Sequence, residues 1–127
     1  MAVHGTHNAV QDDRNDKILI YVNGELFPRN EAKISVFDSG YLVGDGIWEA
    51  LRLYDGVLVF LDEHLNRLWQ AAATVGMDMK MTRAELTEKI WHTLKANNMH
   101  DGVHVRFKVT RGTKKTPSQD PRLVLTG

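Results

Sequence analysis

The sequence predicts an α+β fold: a mainly antiparallel sheet with two helices packed on it. Three observations carry that expectation. The dipeptides Asn23-Gly24 and Asp55-Gly56 each separate two short apolar runs, as hairpin turns do. Two stretches of helical periodicity follow one another in the middle of the chain, between about residues 62 and 97. An alternating run, Val103 to Thr110, comes after them. Strands joined by hairpins, then paired helices, then strands describe α+β, not a repeated βαβ wind.

The elements follow in order. Residues 1–16, MAVHGTHNAVQDDRND, are polar and aperiodic and read as a flexible tail. They contain neither the basic start nor the apolar stretch of a secretory signal. His4 and His7 have no further ligand nearby and do not make a metal site. One domain, residues 17–127, is expected after the tail. Lys17 to Val22 reads as a strand, and Glu25 to Phe27 as its hairpin partner, edged by Pro28, which cannot donate to a ladder. Ile34 to Phe37 is a short extended piece. Asp38 to Gly46, DSGYLVGDG, is a glycine-punctuated loop.

Ile47 to Tyr54 is the next strand, and Val57 to Phe60 pairs back on it. Asp62 is the expected N-cap of a helix reaching about Val75, with Leu61, Leu65, Leu68, Trp69 and Ala72 on one side and Gly76 as its stop. Thr82 and Glu85 form a capping box that opens a second helix, striped by Leu86, Ile90 and Leu94 and ending near Asn97-Asn98. In the strand from Val103, the residues Val103, Val105, Phe107 and Val109 share one face, and His104, Arg106, Lys108 and Thr110 the other. Arg111-Gly112 ends it. Residues 113–120 form a polar loop, and Arg122 to Thr126 is a last strand.

Composition excludes several function classes. Lys plus Arg and Asp plus Glu number 16 each, so no field of one sign advertises nucleic acid or an anionic membrane. Cysteine is absent, which removes disulfides and thiolate sites and fits a cytoplasmic location. The longest apolar runs, Ile18 to Val22 and Val57 to Leu61, are too short to span a bilayer.

The glycines at 40, 44 and 46 match neither the dinucleotide fingerprint nor a P-loop, and the loop leads into a strand. They fit a tight connection, or a backbone that approaches a ligand closely. Taken in order, VNGEL, FDSGYLVGDGIWEALRLYDG, LDEHLNRL and VRFKVTRG resemble the class IV aminotransferases, or fold-type IV enzymes dependent on pyridoxal 5'-phosphate (PLP). The resemblance covers residues 17 to 127 and matches the smaller N-terminal domain of that family.

The resemblance implies a role for several residues. Periodicity alone makes Arg67 a solvated arginine paired with Glu63 at i−4. By the resemblance it binds the cofactor phosphate, for which a planar fork of donors is well suited. Tyr41, Val43 and Trp48 match positions lining the substrate pocket. Arg106 matches an arginine of branched-chain enzymes, and Arg111 one that D-amino acid enzymes use for the substrate carboxylate. Glu49 is assigned a structural hydrogen-bonding role, and His64, His92 and His104 surface or helix-flank positions. The family's Schiff-base lysine matches none of Lys17, Lys33, Lys80, Lys89, Lys95, Lys108, Lys114 or Lys115.

The parent reaction implied is amino-group transfer between an amino acid, branched-chain first, and a 2-oxo acid. D-amino acids or (R)-amines are the second choice. The chain alone is expected to be inactive, with a C-terminal domain or second chain completing the site and a homodimer as the assembly. A non-catalytic assembly or binding domain is the alternative of another class.

Overall fold

The computed structural model describes residues 10–114, and the chain divides into two compact units with the boundary between Lys33 and Ile34. In the first unit a 3-10 turn, Asp13–Asn15, is capped by Asp12, whose carboxylate accepts from the backbone N of Arg14. Strands β1 (Leu19–Val22) and β2 (Glu25–Pro28) then form the expected antiparallel hairpin. Asn23 and Gly24 both have positive φ, 49° and 99°, as the tight turn requires. Pro28 lies at the end of its strand, opposite Leu19.

The second unit carries helix α1 (Ser39–Val43), strands β3 (Gly46–Tyr54) and β4 (Val57–Leu58), helices α2 (Leu61–Thr74) and α3 (Arg83–Ala96), and strand β5 (Val103–Thr110). Its sheet has the order β4-β3-β5 and is antiparallel throughout. The α+β class holds, although the described strands form two sheets. Strand β3 alternates: Ile47, Leu51 and Leu53 are buried, whereas Trp48, Arg52 and Tyr54 are exposed. The buried side packs with Leu65, Leu68 and Ala72 of α2 and with Leu86, Ile90 and Leu94 of α3 into one apolar cluster. Both helices thus bury the stripes their periodicity predicts.

Four local expectations are corrected. Ile34 to Phe37 does not stay extended. Asp38 N donates to Ser35 O at 3.0 Å and Phe37 N to Ser35 Oγ at 3.0 Å, which curls the segment into a turn. The segment Asp38 to Gly46 is not wholly loop. Asp38 accepts from Gly40 N and so caps α1, and Gly44, at φ 69°, ends it. The ladder expected over Val57 to Phe60 ends at Leu58, with one further bond from Val59 N to Arg52 O at 2.9 Å, after which Phe60 turns left-handed at φ 54°. Phe60, not Asp62, therefore occupies the N-cap of α2; Asp62 and Glu63 lie in its first turn, where negative charge favours the helix dipole. Thr82 does cap α3, accepting from Glu85 N at 3.1 Å. The strand expected at Arg122 to Thr126, and the polar loop beyond Lys114, lie outside the described residues. Among the described residues no helix is long and apolar enough to cross a membrane.

Candidate functional site

The pleat of β3 puts Glu49 on the buried side of the strand, in register with Ile47 and Leu51. Its side chain is 5% exposed and meets α2, which brings Arg67 and His64, one turn apart, over it. Arg67 donates through Nε to Glu49 Oε1 and through Nη2 to Glu49 Oε2, the latter at 2.8 Å. This is a bidentate fork. His64 Nδ1 lies 2.8 Å from Glu49 Oε2.

The Arg67 guanidinium holds the Glu49 carboxyl well below the usual carboxylate range, to about 2, with His64 contributing in the same direction. Glu49 is therefore ionised and only accepts, so Nδ1 of His64 carries the donated proton. The Arg67 guanidinium is pushed up by the same pairing. Of the five donors on a guanidinium, two go to Glu49 and three remain. The Arg67 side chain is 69% exposed, so those donors face outward. They are suited to an anion with several acceptor oxygens, such as a phosphate monoester.

Two expectations change here. Arg67 pairs with Glu49 across the fold instead of with Glu63 along its own helix. His64, expected at a surface or helix-flank position, is half-buried on α2, with its side chain 22% exposed and bonded to Glu49. The alternation of β3 was the available signal, because it places Glu49 among buried apolar positions. His92 and His104 are exposed, as the sequence implies.

The opposite side of the sheet brings Trp48 and Arg106 together. Arg106 lies over the Trp48 ring, 5.0 Å from its centroid, a cation–π arrangement on an open sheet face. Ala50 opposes Arg106 and Lys108 opposes Trp48 in the ladder. Tyr41 and Val43 are exposed on α1, the short helix leading into β3. Arg67 stands apart from Trp48 and Arg106, on the helical side of the sheet.

Arg111 is engaged within the fold. Its Nε donates to Asp45 Oδ2 at 2.7 Å, Nη1 to Gly76 O at 3.0 Å and Nη2 to Val75 O at 2.8 Å. It thereby pairs with a carboxylate and satisfies carbonyls at the end of α2. The glycines of the connection also answer to internal packing. A Cβ at Gly40 would lie 2.5 Å from Thr110 Cγ2, and one at Gly46 would lie 3.2 Å from the Val109 carbonyl oxygen. No cluster of metal-binding side chains occurs among the described residues.

Residues 46–126 match the family model described as amino-transferase class IV. The chain is 44% identical over 107 residues to the branched-chain-amino-acid aminotransferase-like protein 1 of Arabidopsis thaliana, covering 84% of this chain and 19% of that protein. It is 39% identical over 93 residues to the D-alanine aminotransferase of Bacillus licheniformis, covering 73% of this chain and 32% of the relative. The crystal structure of the branched-chain aminotransferase from the archaeon Thermoproteus uzoniensis with norvaline superposes with a TM-score of 0.70 at 27% identity, over 83% of this chain and 36% of that one. This chain therefore spans between about a fifth and about a third of the length of these three proteins. With the match extending from the start of β3 past the last described residue, the chain belongs to the class IV amino-transferase family.

Proposed function

We propose that this chain supplies the phosphate-gripping and pocket-lining lobe of a PLP-dependent transaminase that moves an amino group between an amino acid and a 2-oxo acid. The carrying observation is Arg67, anchored by two bonds to Glu49 with its other donors directed outward. The donor set fits the group: a phosphate dianion needs several N–H donors held in one plane. When bound, the cofactor supplies the electron sink that lets an amino group leave one carbon and join another. Arg67 binds its phosphate. Trp48, Tyr41 and Val43 form an apolar and aromatic wall that limits side-chain size and excludes water. Trp48 and Arg106 lie on the opposite side of the sheet from Arg67, so in the homodimer they serve the neighbouring subunit's site, where the Arg106 guanidinium orients a substrate carboxylate. A downstream domain or another chain supplies the lysine, and a homodimer with the site near its interface is the assembly.

Branched-chain amino acids are the favoured donors. Arg111, the residue that would indicate D-amino acids or (R)-amines, has all three guanidinium nitrogens bonded within its own fold. The D-alanine aminotransferase likeness keeps that second reading in view.

Pyridoxamine 5'-phosphate tests the proposal, since it lacks an aldehyde and does not react with stray lysines. Calorimetry with the unsubstituted chain should show binding, and Arg67→Met should abolish it. Equal affinity in both proteins would assign the phosphate site elsewhere and leave the non-catalytic binding domain as the better account.

A further inference from the structure

Glu49 invites a question that the phosphate site leaves open: why an ionised carboxylate occupies the apolar side of β3. It sits between Ile47 and Leu51 on the core face, at 5% side-chain exposure. Packing alone would favour an apolar residue there, because burying a carboxylate carries a desolvation cost. We propose that Glu49 is a positioning residue for Arg67, fixing the plane of its guanidinium before any phosphate arrives. The inference rests on the reading of Arg67 as the phosphate-binding residue.

The geometry supports this division of labour. Glu49 is anchored at the strand and held from α2 by a third bond, from His64 Nδ1 at 2.8 Å. It grips two nitrogens of a side chain that is otherwise 69% exposed. An exposed arginine with no such anchor samples many rotamers and loses that freedom when it binds. Arg67 begins with its fork fixed, so its remaining donors are presented in one orientation.

Positioning and simple electrostatics predict opposite signs. A carboxylate near an anion site lowers the local potential. If Glu49 does nothing but sit there, Glu49→Gln strengthens phosphate binding. If it positions Arg67, the same substitution weakens binding although it removes a negative charge.

The test is titration of the 127-residue chain with pyridoxamine 5'-phosphate, followed by NMR, for the unsubstituted protein, Glu49→Gln and Arg67→Met. The expected result is about a tenfold weaker affinity for Glu49→Gln. Unchanged or tighter binding would overturn the proposal. A normal loss with Arg67→Met beside an unaffected Glu49→Gln removes the positioning role alone. Unchanged binding by Arg67→Met removes the phosphate reading, and the inference with it. A second readout needs no substitution: the Arg67 Nε–H resonance of the ligand-free chain should be distinct and slow to exchange with solvent. An Nε–H as fast to exchange as that of an unanchored arginine contradicts a pre-formed fork.

Discussion

At the residue scale the pairing of Glu49 with Arg67 and His64 makes stability depend on pH in a defined direction. The folded-state pKa of Glu49 is depressed from 4.5 to about 2. A depressed carboxyl contributes stability that is fully present above its unfolded value and is lost as pH falls through the folded one. The window therefore runs from about pH 4.5 down to about pH 2. Because Arg67 is largely exposed, solvent screens part of the interaction, and the contribution is on the order of 2 kcal/mol. Denaturant unfolding should show native stability declining through that window, with the decline shallower in Glu49→Gln. Identical acid profiles for the two proteins would contradict the pairing. Asp45 is depressed too, chiefly by its hydrogen bond from Arg111, so Arg111→Met should melt at a lower temperature. The candidate residues themselves are only partly legible in the sequence. Helical spacing assigns Arg67 to the polar side of α2, which its exposure bears out, but partners distant in sequence, such as Glu49 and Asp45, leave no trace in local periodicity. The motif resemblance assigns Glu49 a structural hydrogen-bonding role and the two-residue period of β3 puts it on the buried side, but neither names Arg67 as its partner.

At the scale of elements, regular pattern and cap chemistry are readable, and their boundaries are set by bonds the pattern does not contain. The Thr82 cap of α3 is a local motif, and it forms as the sequence implies. Thr82→Ala should cost about 1 kcal/mol in chemical denaturation, and no change would show that the cap carries no energy. Helix α1 leaves no signal because five residues are too few for periodicity, while Asp38 and Gly44 resemble ordinary loop residues until their caps are seen. Its packing against β5 is tight at Gly40. Gly40→Ala brings a methyl 2.5 Å from Thr110 Cγ2, and overpacking of this kind costs about 1 to 3 kcal/mol. A stability equal to that of the unsubstituted chain would show that Thr110 gives way freely. The cap of α2 lies at Phe60 instead of Asp62 for a related reason: Phe60 has no capping side chain, and its left-handed backbone follows the end of the β3–β4 pairing.

At the scale of the whole molecule, the sheet separates two kinds of chemistry. Its helical side holds the charged Glu49–Arg67–His64 group, and its open side holds Trp48 under Arg106. The class is legible because hairpins and helices follow one another in the order that α+β folds require. The division into two units at Lys33 is not, since no composition change marks it. The proposed dependence on a lysine outside this sequence has its own consequence. Pyridoxal phosphate followed by borohydride should label no single lysine of the chain in stoichiometric amount. One fully reduced lysine among those present would contradict that dependence.

The most direct measurement is a crystal structure of the chain grown with pyridoxamine 5'-phosphate. The account predicts the phosphate bonded to the outward donors of Arg67, with Nε and Nη2 still held by Glu49. A phosphate bound elsewhere, with Arg67 unengaged, would contradict it.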